Sequence, residues 1–128
     1  MCLWRRDFCA KERARIMSGI DSMYYVHKHL TERDLLEQLA EECGELTHAS
    51  LKLIRAKGYS SNITPKSEHE ATEQLKEEAI DVCMLLRILG CLPHRDTVEK
   101  SQKWERWESR LKAGHYKLRC KGEYNAYK

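Results

Sequence analysis

Two long segments of this chain place apolar residues alternately three and four apart. The first runs Leu36, Leu39, Cys43, Leu46, Ser50, Leu53, and the second Leu75, Ala79, Val82, Leu86, Leu89. Such spacing follows the 3.6-residue turn of an α-helix and lays one apolar stripe along each segment. A strand would alternate every second residue, which neither segment does. Between them lies Gly58 to Lys66, GYSSNITPK, a polar stretch rich in turn residues. Two long helices with a short polar connection fold back as an antiparallel hairpin. The expected fold is all-α, with a core of helical-hairpin or four-helix-bundle type.

Local signals set the ends of these helices. Thr31 with Asp34, and Ser67 with Glu70, have the spacing of capping boxes, in which side chain and backbone satisfy each other's hydrogen bonds. Gly58 and Gly90 supply stops, and Pro93 blocks continuation. A short helix is expected over Asp21 to His29. A further one is expected from Asp96 to Lys112, with Val98, Trp104, Trp107 and Leu111 on one side and Gly114 after it. From Ile80 to Leu89 the second long helix is apolar on nearly all sides, so it needs more than one neighbour, a second subunit among them. The 128 residues make one domain's length. They divide into a basic N-terminal arm (1–20), the helical domain (21–114) and a basic C-terminal tail (115–128).

The net charge is only +3, but it is unevenly spread. Between Thr31 and Asp81 there are 12 acidic and 6 basic residues, and both ends are basic. A negative middle with positive flanks suits a cation and an anionic ligand held together, and does not favour nucleic acid. The six cysteines show no C-x-x-C pair or zinc spacing, and Cys43 and Cys83 are expected in the core. With no apolar run of membrane-spanning length and no leader-like opening, the expectation is a reduced, cytoplasmic protein without a membrane partner.

Both long helices carry acidic columns, EQLAEECGEL at 37–46 and EQLKEEAID at 73–81. Like charges four apart cost a helix about 0.2–0.5 kcal/mol per pair, so the columns call for a compensating partner. Glu42 and Glu45 each precede a stripe residue, and so do Glu78 and Asp81. Each pair is spaced i, i+3 and shares one face. In an antiparallel hairpin the four carboxylates converge at the edge of the core. An all-oxygen set of this kind prefers hard ions, Mg²⁺ first and Mn²⁺ as the alternative.

These residues resemble a known family. Glu41-Glu42-Cys43-Gly44-Glu45 followed by Glu78-Ala79-Ile80-Asp81 is similar to the E-E-x-x-E then E-x-x-D signature of the all-α nucleoside triphosphate pyrophosphohydrolases, the MazG-like group. The resemblance covers roughly Thr31 to Leu111. It implies Glu42, Glu45, Glu78 and Asp81 as metal ligands, with Glu41 as an accessory ligand or water-positioning group. It also implies cleavage of a nucleoside triphosphate between its α and β phosphates, by dimers or tetramers of helical hairpins. Of these residues, Glu41 and Glu45 are the candidates for taking a proton from the attacking water.

Other residues could reach phosphate or base. Lys103, Arg106 and Arg110 form one basic stripe beside Trp104 and Trp107, suited to gripping phosphates. Lys57 flanks the polar loop, Asn62 lies in it, and Gln38 stands one turn before Glu42, where it could read a base edge. Two other functions compete. One is a non-catalytic helical interaction or nucleic-acid accessory module that uses the basic ends. The other is a di-iron carboxylate oxidoreductase, suggested by Glu45-x-x-His48; the second helix offers Asp81 where a second such motif needs histidine.

Overall fold

A computed structural model describes residues 9–92 and 97–114, and among them four helices and no strand. They are α1 (Ala10–His29), α2 (Glu32–Ala56), α3 (Glu68–Ile88) and α4 (Val98–Lys112). The two capping boxes form as expected. Thr31 Oγ1 accepts from the Asp34 N–H at 3.2 Å while the Asp34 carboxylate accepts from the Thr31 N–H at 2.8 Å. Ser67 and Glu70 repeat the arrangement at the start of α3. At the other ends Gly58 and Gly90 take positive φ, 71° and 69°. There the N–H of Gly58 reaches Arg55 O and that of Tyr59 reaches Ile54 O. These bonds satisfy the last carbonyls of α2, and a residue bearing Cβ would be strained in that conformation.

The first helix is longer than the sequence suggests, beginning at Ala10 rather than Asp21. The apolar pattern is weak there, but Ala10, Lys11, Glu12, Arg13, Ala14 and Arg15 are all strong helix formers. The Glu12 carboxylate also accepts from the Cys9 N–H at 2.8 Å, which anchors the start. In α4 the cap is Thr97, whose hydroxyl accepts from the Lys100 N–H. The expected start at Asp96, the Pro93 stop, the first eight residues of the arm and the 115–128 tail lie outside the described residues.

Helix packing among the described residues is concentrated between α2 and α3. Two links set their direction. Lys57, at the end of α2, pairs with Glu68 at the start of α3, and farther along both helices Glu42 approaches Glu78. As α2 is followed forward α3 runs backward, so the pair is antiparallel. Its core is thin: Leu35 is 3% exposed, and Ala49 and Ala71 are 1% exposed each.

This burial moves part of the α2 stripe by one position from the one expected. Leu35 is buried and Leu36 is 50% exposed. Glu42 and Ala49 join Leu39, Leu46, Ser50 and Leu53 among the less exposed residues of α2, while Cys43 is exposed; on α3 the expected Leu75, Ala79, Val82, Leu86 and Leu89 are all half-buried, with Ala71 buried and Glu78 and Leu85 half-buried beside them. On α2, Leu35 and Leu36 offer two adjacent registers, and a stripe chosen for apolarity alone passes over the one containing Glu42. Cys43 and Cys83 are both exposed rather than in the core.

On the outer faces, Leu51, Ile54, Ile80 and Met84 are also exposed, as are Trp104 and Trp107 of α4. The two indole rings stack nearly parallel, 5° between planes with centroids 5.6 Å apart. No described helix is long and apolar enough to cross a membrane.

Candidate metal centre and adjoining cleft

One carboxylate oxygen from each of Glu42, Glu78 and Asp81 lies within 4.8 Å of the other two. Glu42 comes from α2 and Glu78 from α3. Asp81 follows Glu78 by three residues, which on a helix returns to the same face. Glu42 and Glu78 are half-buried, and Asp81 is exposed. Among the described residues no lysine, arginine or histidine forms an ion pair with any of the three. Gln38 does reach the group: its Nε2 donates to Glu42 Oε1 at 2.8 Å from one turn earlier.

Three anions at this separation repel one another by roughly 1 kcal/mol per pair in bulk water, and by more where the protein displaces solvent. Half-buried carboxylates without a basic partner ordinarily find one or lose their charge. The donor set fits a divalent cation. Oxygens bound to Mg²⁺ at about 2.1 Å lie at most ~4.2 Å apart, so the three need only a small movement to share one ion. Glu45, the fourth expected ligand, stands outside this mutual 4.8 Å group, and so do Glu41 and His48; all three are exposed.

Beside the carboxylates is a cleft of about 620 Å³ between α1 and the α2–α3 pair. Ile16, Ile20, Met23 and Val26 of α1 line one wall, and Met84, Leu85 and Ile88 of α3 another. Gln38, Glu42 and Asp81 stand at its edge, with Arg87 as the cation of the lining. Neither the α1 wall nor Arg87 is marked by the sequence reading. The α1 apolar residues are sparse, and Arg87 belongs to no stripe that would single it out. The spacing Ile16, Ile20, Met23 was the available signal, since it follows the helical turn.

The remaining predicted binding residues are placed elsewhere. Lys57 is engaged with the Glu68 carboxylate at 2.6 Å, which holds its ammonium above the ordinary lysine range. Fifteen residues of helix separate Lys57 from Glu42, about 22 Å along α2. Asn62 is exposed in the loop, its N–H donating to Ser60 Oγ at 3.2 Å. Lys103, Arg106 and Arg110 do gather on one face of α4, where with Trp107 they line a separate hollow of about 400 Å³. None of them lines the cleft beside the carboxylates.

No family model, curated protein or solved structure matches the chain. The functional reading therefore stands on the site and on the resemblance of its acidic signature.

Proposed function

We propose that this protein is a Mg²⁺-dependent nucleoside triphosphate pyrophosphohydrolase, with Mn²⁺ as the alternative ion. The observation that carries the reading is the position of Glu42 and Glu78. Carboxylates occupy half-buried positions on α2 and α3 where apolar side chains would stabilise the pair more, and Asp81 joins them; among the described residues none of the three has a basic partner. A divalent cation would compensate that charge. An apolar cleft of nucleotide-accommodating size beside it supplies the second half of a substrate site.

In this reading Glu42, Glu78 and Asp81 hold the ion, and Glu45 on the next turn of α2 completes the set. Bound there, a divalent cation screens phosphate charge that otherwise repels a nucleophile, and stabilises the pyrophosphate leaving group. Gln38 fixes the rotamer of Glu42. Glu41 and Glu45, both solvent-facing, are the carboxylates available to accept a proton from the attacking water. Arg87, which lines the same cleft from α3, offers a guanidinium to a phosphate oxygen.

A second copy of the chain belongs to this proposal, as a homodimer or homotetramer. Ile80 and Met84 on α3, with Leu51 and Ile54 on α2, leave apolar surface that one hairpin cannot cover. A second copy would also bring Lys57, Asn62 or the α4 basic stripe to a site they do not reach within one chain. The protein would act in the cytoplasm on the nucleotide pool.

The test is pyrophosphate release from a panel of ribo- and deoxynucleoside triphosphates with Mg²⁺. Glu78→Gln and Asp81→Asn should each lower turnover by at least about 100-fold. Absence of turnover on every substrate, or turnover that survives both substitutions, overturns the assignment.

A further inference from the structure

We infer that the cleft between α1 and the α2–α3 pair seats the heterocyclic base of the nucleotide, and that Gln38 reads it. The inference rests on the pyrophosphohydrolase reading for where the phosphates go. It rests on separate observations for the base. The cleft, about 620 Å³, has apolar walls from Ile20 and Met23 on one side and Met84 and Leu85 on the other. Flat aromatic rings are stabilised between such walls, and thioethers make favourable contacts with ring edges. At one edge the walls give way to Glu42 and Asp81. A ligand filling both regions must be flat and weakly polar at one end, and able to share a cation at the other. A nucleoside triphosphate has that chemistry.

Gln38 stands where the two regions meet, and its bond to Glu42 gives it discriminating power. A free glutamine amide can turn over and match any base that presents a donor beside an acceptor. The bond to Glu42 biases this one. A carboxylate only accepts, so with that bond formed the amide nitrogen faces Glu42, and the order in which donor and acceptor face the cleft is set. One N–H serves Glu42, leaving the second N–H and the carbonyl for a ligand. Once a base covers them, a mismatched edge leaves polar groups unpaired and costs binding. Glu42 thereby has two tasks, holding the cation and orienting the residue that reads the base.

Two measurements test this. In the first, kcat/KM is compared across triphosphates of the four bases for the unaltered protein and for Gln38→Leu. The unaltered protein should prefer one base by at least ~10-fold, and Gln38→Leu should flatten that preference to within a few-fold. A purely structural role would lower all substrates by a common factor and leave their order intact, which overturns the inference. In the second, adenosine, guanosine, cytidine and uridine, without phosphates or metal, are each titrated while backbone NMR signals are followed. With at least one nucleoside, signals of α1 around Ile20 and Met23 should move, and Ile20→Arg should abolish the response. Movement confined to other helices overturns it. If no triphosphate is hydrolysed but a nucleoside still binds along α1, the reaction falls and the base site stands. If hydrolysis proceeds with base order unchanged in Gln38→Leu, the base site falls and the reaction stands.

Discussion

Glu42 of α2 and Glu78 of α3 bring carboxylate oxygens within 4.8 Å of each other across the helix pair. Leucine at either position would bury apolar surface and end the repulsion. The doubly substituted Glu42→Leu, Glu78→Leu protein should therefore gain about 1–3 kcal/mol of stability in the absence of metal while losing hydrolysis. Chemical denaturation in a chelating buffer measures the first and pyrophosphate release the second. A less stable double variant would mean that the two glutamates are already compensated by something other than a cation.

Divalent ions should stabilise the unaltered protein, the gain rising with the logarithm of free ion once it exceeds the dissociation constant. At 100 times that constant the gain is about 2.7 kcal/mol, and chelation should reverse it. Thermal melts with Mg²⁺, Mn²⁺ and no metal provide the comparison. Asp81→Asn should shrink the response and raise the metal-free melting temperature, because it removes one of three mutually repelling carboxylates.

The caps make an independent structural prediction. Thr31→Ala and Ser67→Ala each remove an acceptor for an N–H of the first helical turn, Asp34 and Glu70 respectively. Each should cost about 1 kcal/mol in denaturant unfolding. As the two sites start different helices, the double variant should lose the sum.

The partners of those caps predict the acid behaviour. Hydrogen bonds from the Thr31 hydroxyl and N–H hold the Asp34 carboxyl below its ordinary value of 3.8. Bonds from Ser67 do the same for Glu70, whose ordinary value is 4.5. A carboxylate with a lowered folded-state pKa releases its proton more readily when folded. Its contribution is thus complete above the ordinary value and disappears as pH falls through the lowered one. Melting temperature should drop below about pH 4.5, and Asp34→Asn with Glu70→Gln should flatten part of that fall.

The helices were legible because their signals are local. Each long helix has a capping side chain, a periodic stripe and a terminal glycine within its own span. The register of the α2 stripe was not, because Leu35 and Leu36 serve equally well by composition. Only contact between α2 and α3 decides between them, and it buries Leu35 and half-buries Glu42 while Leu36 stays exposed. The acidic signature was found by spacing, while the cleft was missed because its α1 wall depends on a helix whose early turns have propensity without periodicity. Lys57 lies about 22 Å along α2 from Glu42, a distance that its place beside the loop in the sequence does not express.

Ala49 of α2 and Ala71 of α3 are each 1% exposed, and side chains that small let two packed helix axes come close. If the carboxylates hold an ion, that approach bears on how large the ion can be. Ala49→Leu, by pushing the axes apart, should then shift preference from Mg²⁺ towards the larger Ca²⁺, whose oxygens lie at about 2.3–2.6 Å. Ion selectivity in this hairpin would then be governed by two side chains that never touch the ion.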